Sequence, residues 1–238
     1  MKRFVVISPV PEIIDSIVAN SILRQAVEKE LVDIRTVNLR EFGVGNYRQI
    51  DDEPFGGGPG MVLMAEPVLQ AYERACEVLD GQPARVIYPS PQGDPWTQTT
   101  VREEGRHNAF IFLCGHYKGI DERALDIIQP VEFSIGDVVV SGGEIPTMLM
   151  IDSLVRWIPG VLNDITSAAT DTHAGELLDG PWYTRPRIVR GRPVPDVLLS
   201  GHHERIEAWR LQQRERRTRE RRPDLWKRYL ENKGNRTD

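Results

Sequence analysis

Two cysteines, Cys76 and Cys114, are all that the 238 residues contain, with no Cys-x-x-Cys pair and no zinc-like histidine spacing beside them. A disulfide framework or a cysteine-bound metal is therefore not expected; two buried thiols are. Aromatic residues are scarce at 7%, yet 40% hydrophobic content over this length suffices for one large domain and a small one. No stretch approaches the roughly 18 uncharged apolar residues of a membrane span. The opening Met1-Lys-Arg-Phe-Val-Val-Ile-Ser-Pro has too short an apolar run for a secretory signal, so a soluble cytoplasmic protein without membrane association is expected. Two nucleotide signatures are also missing. Ser8-Pro-Val-Pro follows the first apolar run where a dinucleotide site needs Gly-x-Gly-x-x-Gly, and Met61 follows Gly56-Gly-Gly-Pro-Gly60 where a P-loop needs Lys-Ser/Thr.

What is present is unevenly distributed. The formal charge is −5, but residues 201–238 hold 12 Lys+Arg against 7 Asp+Glu, leaving 18 against 28 on residues 1–200. The tail is thus the basic part of an acidic chain. Arg214, Arg216, Arg217, Arg219, Arg221 and Arg222, with Trp209, Trp226 and Tyr229 among them, can meet phosphates and offer rings for stacking. A solvated helix face laced with Glu204, Glu207, Glu215 and Glu220 is the plainer reading of the same residues.

From the start to about residue 158 the pattern alternates strand and helix. Short apolar runs at Phe4–Ile7, Arg85–Tyr88, Ala109–Cys114 and Val131–Phe133 read as buried strands, and Leu31–Val37 alternates apolar with polar. Pro11–Asn20, Ser21–Glu30, Glu66–Leu79, Thr97–Arg106, Asp121–Ile128 and Pro146–Ile158 read as helices. This alternation predicts an α/β fold with a mainly parallel sheet covered by helices on both faces. Val161–Leu178 is polar and reads as a linker, and a small, mostly helical, arginine-rich domain follows. The expected division is 1–160, a linker over 161–178, and 179–238.

Three glycine-bearing segments follow buried strands: Tyr88-Pro-Ser-Pro-Gln-Gly93, Gly115-His-Tyr-Lys-Gly-Ile-Asp-Glu-Arg123 and Ser134-Ile-Gly-Asp-Val-Val-Val-Ser-Gly-Gly-Glu144. They should emerge together at one edge of the sheet, where an open α/β sheet binds its ligand. With Asp51-Asp-Glu-Pro-Phe-Gly-Gly-Gly-Pro-Gly-Met61, Ile158-Pro-Gly-Val-Leu162, Leu177-Leu-Asp-Gly-Pro-Trp-Tyr-Thr-Arg-Pro186, Val197-Leu-Leu-Ser-Gly-His202 and Trp209-Arg-Leu211, they closely resemble bacterial tRNA (guanine-N1)-methyltransferase, of the knotted SPOUT class.

The resemblance implies a deep trefoil knot holding S-adenosylmethionine, which periodicity alone would not suggest. It places the cofactor against Tyr88, Pro89, Ser90, Gln92, Gly115, Ile135, Gly136, Asp137, Val138, Val139, Val140 and Gly142. It further implies a homodimer with active sites between subunits, magnesium during transfer with ligands unassigned, and tRNA as substrate, methylated on the guanosine 3′ of the anticodon. Asp171 matches the catalytic aspartate and Arg156 the catalytic arginine, though an Asp152–Arg156 helix pair is the purely structural reading of the latter. Asp51 and the Gly56–Gly60 loop, Gly60 included, match the segment that closes over the target base, while Arg205, Arg210, Arg214 and Arg217 could meet phosphates. Adjacent His202 and His203 are not expected to share a metal.

The chain departs from the family's commonest pattern at Lys118, His116, Pro89, Val138 and Thr172-His173, where glutamate, arginine, leucine, tyrosine and Ser-Phe are usual. Two other readings compete. A SPOUT-like enzyme for another RNA would not need Asp171 or the Leu177–Pro186 segment, and a non-catalytic RNA-binding module would need no glycine-framed cleft.

Overall fold

A computed structural model of the chain describes residues 1–162, 172 and 176–234. It divides into two compact units, Met1–Asn163 and Asp164–Asp238.

The first unit is built on five parallel strands: β1 (Lys2–Ser8), β2 (Val32–Asn38), β5 (Arg85–Pro95), β6 (Ala109–Leu113) and β7 (Val131–Ser134), in the order β2-β1-β6-β5-β7. Alternation along each strand sends successive side chains to opposite faces. Phe4, Val6, Phe110 and Phe112 enter one layer with residues of α1 (Pro11–Val18), α2 (Ser21–Glu28) and α6 (Glu144–Val155). Val5, Ile7, Ile111 and Leu113 enter the other, against α3 (Ala65–Val78) and α5 (Glu122–Ile128). Because both faces are covered, the central strands are almost continuously apolar, as a parallel sheet requires. The Phe4 and Phe110 rings, opposite each other in register, stack at 5.2 Å. One short helix, α4 (Gln98–Glu104), is capped by Thr97, whose side chain accepts a hydrogen bond from the Thr100 amide.

Most expected elements occur within a residue or two of their predicted bounds, but two differ in ways that shape the site. Strand β5 does not stop at Tyr88. Pro89 and Asp94 both face Phe133 of β7, so Ser90–Gly93 bulge out and the strand then resumes through Pro95. Prolines at 89 and 91 interrupt the donor series there, which favours a bulge over a regular ladder. Helix α6 begins at Glu144 and not at Pro146. Pro146 sits within the first turn, where amides have no helical partner, so the ring costs no hydrogen bond. The same helix ends at Val155, not Ile158: Trp157 and Ile158 donate to Leu154 and Val155, a tighter turn that leads into Pro159.

The second unit contains the short strands β8 (Ile188–Val189) and β9 (Arg192–Pro193), helix α7 (His203–Arg221) and helix α8 (Pro223–Gly234). Trp226 and Tyr229 lie 5.4 Å apart, and the Tyr229 hydroxyl donates to Glu215 of α7 at 2.8 Å. Thr218 is fully buried; its hydroxyl donates to the Arg214 carbonyl and accepts from the Leu178 amide at 2.9 Å, fastening the 177–181 segment to α7.

Candidate active site

The three glycine segments do meet, at the carboxyl edge of the sheet. Their residues line one cleft, with Tyr88, Pro89 and Ser90 from β5 and the start of its bulge, Gly115 to Gly119 after β6, and Ser134, Ile135 and Val138 to Gly143 from the end of β7 onward. Nine of the twelve expected cofactor positions are in its wall; Gln92, Gly136 and Asp137 lie on the same loops but are not. Contact between the second and third loops is direct. The Gly143 amide donates to the Gly115 carbonyl at 2.8 Å, and a Cβ on Gly143 would lie 2.7 Å from Cys114 Cα, so only glycine allows the approach.

Beside that junction sits a buried polar cluster. His116 Nε2 lies 2.8 and 2.9 Å from the two Glu144 carboxylate oxygens, and the Ser8 hydroxyl donates to Glu144 Oε1 at 2.6 Å. Ser8 in turn accepts from the Val10 amide at 2.9 Å. Burial works to raise the Glu144 carboxyl, but hydrogen bonds from His116, Ser8 and its own backbone outweigh it and hold the group below the usual carboxylate range. A Cβ at Gly142 would collide with His116 Nε2, so this glycine leaves the space that the His116–Glu144 hydrogen bonds fill. The loop from β7 is thereby tied to the end of β1 and to the segment after β6.

Two other groups in this region are chemically quiet. Burial, reinforced by Glu132 and Glu122, pushes the Tyr88 phenol to about 12, so it stays neutral at physiological pH. Burial also pushes the Cys114 thiol up, which removes it as a nucleophile.

The expected substrate loop is adjacent. Asp51 pairs with Leu63 across β3 (Asp51–Asp52) and β4 (Val62–Leu63), and Gly60 lies between them. The Lys118 amide donates to the Met61 carbonyl at 3.0 Å, and its side chain runs along Gly60. Asp51 and Gly60 thus belong to a hairpin anchored to the cleft wall, with Phe55 at its tip 99% exposed.

Arg156 is elsewhere. It caps the end of α6 opposite to the end that carries Glu144 and Pro146. Ten residues of helix, about 15 Å of rise, separate Pro146 from Arg156. Its amide donates to the Asp152 carbonyl, and burial raises the Asp152 carboxyl while the Arg156 charge opposes that. Asp171 lies outside the described residues.

In the second unit Arg205 is exposed on α7, but the other expected phosphate partners have structural work. Arg214 and Arg217 donate to the carbonyls of Leu178 and Asp179 at 3.3 and 3.5 Å, holding that segment against the helix. Arg210 pairs with Glu207 at 2.7 Å and lies 5.3 Å from the Trp182 ring. The rings singled out in the tail are similarly engaged, Trp226 with Tyr229 and Trp209 with Tyr183 at 6.4 Å.

A cleft of backbone loops at the carboxyl edge of a parallel sheet suits many ligands, and similarity to known proteins narrows the choice. The model of the family described as tRNA (Guanine-1)-methyltransferase TrmD matches residues 1–228. The chain belongs to this family. It is 46% identical over 224 residues to a tRNA (guanine-N(1)-)-methyltransferase of Ruminiclostridium cellulolyticum, covering 94% of this chain and 96% of the relative. A protein of the same name from Chlorobium luteolum is 48% identical over 227 residues, covering 94% and 95%, and one from Chlorobaculum tepidum is 46% identical over 223 residues, covering 94% and 96%.

Two residues of the cleft wall, His116 and Lys118, make contacts that tie its loops together. Both were visible in the sequence, on a segment expected at the ligand-binding edge and as departures from the common pattern, but their partners were not. His116 proves to be half of the Glu144 pair, and Lys118 joins the cleft to the Gly60 loop. The cleft suits a partly apolar ligand: Ile135, Val138, Val139 and Val140 give it apolar wall, and the loops give it backbone polar groups. For magnesium there is no comparable fit, since no group of three or more His, Cys, Asp or Glu suited to a metal occurs among the described residues. No helix among them is long and apolar enough to cross a membrane.

Proposed function

We propose that the protein transfers a methyl group from S-adenosylmethionine to N1 of the guanosine immediately 3′ of the anticodon in tRNA. The observation that carries this reading is the convergence of the three loops into one cleft, in a chain of this family. S-adenosylmethionine, when bound, supplies an electrophilic methyl on a sulfonium. Tyr88, Ser90, Gly115 and the 135–142 loop would hold it, and the close-packed backbones would exclude water from one side.

Guanine N1 carries a proton and a delocalised lone pair, so it must lose that proton to attack well. By family resemblance Asp171 takes it. Arg156 then faces the negative charge that moves to guanine O6, a stabilisation worth about 3 kcal/mol in preorganised sites. Asp51 and Gly60 hold the target base, and Arg205 with Arg210, Arg214 and Arg217 supports the tRNA backbone.

The separation of Arg156 from the cleft along α6 supports a homodimer in which a partner's residues complete each site. Apolar side chains support it too: Ile145 and Leu149, one turn apart on α6, and Val139 in the loop before it are exposed by 54%, 46% and 86% in the single chain. In the same reading the three loops form a trefoil knot, residues 1–160 are catalytic, 161–178 link, and 179–238 bind tRNA. The protein would work in the cytoplasm, where tRNA is.

The test is transfer of labelled methyl to an unmodified tRNA containing the guanosine, beside one with adenosine in its place. Product as 1-methylguanosine on the first alone is expected; equal transfer to both, or none with cofactor bound, overturns the substrate. Asp171→Ala and Arg156→Ala should each lose most transfer while remaining folded dimers, and near-native activity in either overturns its role.

A further inference from the structure

In the second unit one large ring, Trp182, is left mostly exposed. Trp182 is 74% exposed, and it stands between two grooves, one lined by Pro181, Leu211 and Arg214, the other by Tyr183, Arg185 and Arg187. Arg210 covers part of the ring at 5.3 Å, and Glu207 fixes that guanidinium from behind at 2.7 Å. An indole so exposed carries a hydration cost that a packed protein normally avoids, and here it is framed by four arginines against Asp179 and Glu207. A flat surface of π electrons with cations on both sides complements a flat heterocycle attached to phosphates.

We propose that Trp182, backed by Arg210, is a stacking platform for one unpaired base of the RNA substrate. This rests on the tRNA reading above and adds to it a contact that depends on a ring and not on charge. Stacking on an aromatic side chain typically contributes about 1–3 kcal/mol per base, so loss of the ring should weaken RNA binding about tenfold. Phosphate contacts give binding its salt dependence, and a neutral ring gives none.

The experiment uses the full chain, with Trp182→Ala and Trp182→Phe, and an unmodified tRNA transcript as probe. Trp182→Ala should bind tRNA about tenfold more weakly with the same salt slope, while S-adenosylmethionine affinity by calorimetry is unchanged. Trp182→Phe should bind within about threefold of the native protein, because phenylalanine still stacks. Tryptophan emission of the native protein should be quenched on adding tRNA, and Trp182→Phe should lose that part of the quench while keeping its affinity. Native binding by Trp182→Ala, or an unchanged quench in Trp182→Phe, overturns the platform. So does a change of molecular mass in solution for Trp182→Ala, which would mean that the ring covers a second copy of the chain. Binding and quench are read without methyl transfer, so absence of transfer counts against the function and absence of the quench counts against the platform.

Discussion

In Met1–Asn163 a sheet is buried on both faces by aliphatic and phenylalanine side chains, whereas among the described residues of Asp164–Asp238 only Leu177 and Thr218 are buried. The first unit excludes water from two apolar layers. The second is joined by a hydroxyl bridge at Thr218, arginine-to-carbonyl bonds at Leu178 and Asp179, and ring pairs along its helices. Such contacts position a surface well but contribute less against unfolding than a buried ring does, since a hydrogen bond yields only about 1 kcal/mol net. A rigid core suits a cleft whose loops must meet within a hydrogen bond of one another. A polar, adaptable unit suits a charged partner.

The comparison would be broken most directly by paired truncations. Phe112→Ala in the sheet should cost about 3–5 kcal/mol in denaturant unfolding, against less than about 0.5 kcal/mol for the exposed Leu211→Ala on α7. Equal losses would mean that the second unit has a core of its own. A smaller effect is expected from Gly143→Ala, which forces a Cβ against Cys114 and Gly115. Overpacking of that kind costs about 1–3 kcal/mol, and calorimetry should show S-adenosylmethionine binding weakened as well. Native affinity would show that the two loops can part without harm.

Thr218→Val sharpens the contrast from the other side. It leaves the Leu178 amide without its acceptor and should cost about 1 kcal/mol, read as faster hydrogen exchange at Leu178 with β1 amides unaffected. The smallest expected effect is the pH dependence that Glu144 gives to stability. Its folded-state carboxyl lies below the ordinary value of 4.5, so its contribution is complete above that value and is lost as pH falls through the folded one. Unfolding midpoints should therefore decline below about pH 4.5 in the native protein, and Glu144→Gln should flatten that decline. An unchanged slope would show that the His116–Glu144 pair does not report on stability.

How much of this could be read from the sequence also differs between the units. In the first, apolar runs such as Phe110–Leu113 revealed buried strands because burial on both faces leaves no polar alternation to confuse the pattern. The glycine segments after them located the cleft, because close backbone approach is what glycine permits. The β5 bulge was not legible: strand resumption at Asp94 is decided by pairing with Phe133, a partner far along the chain. Nor was the His116–Glu144 bond, formed by residues 28 apart whose meeting depends on the sheet order. In the second unit composition revealed the basic helix, but spacing could not tell which rings pack and which stay exposed. Trp182 lies in a loop with no periodicity, so its exposure was invisible until the segment was seen fastened at Leu178.

The bulge in β5 has one more consequence. The strand regains the same partner, Phe133, after Ser90–Gly93, and Gly93 passes so close to the Glu132–Phe133 backbone that no side chain fits there. The floor of the cleft and the edge of the sheet are therefore one object: an added or lost residue in that segment would have to disturb a Phe133 pairing or lift Gly93 off β7, and the cleft would change shape together with the strand that carries it.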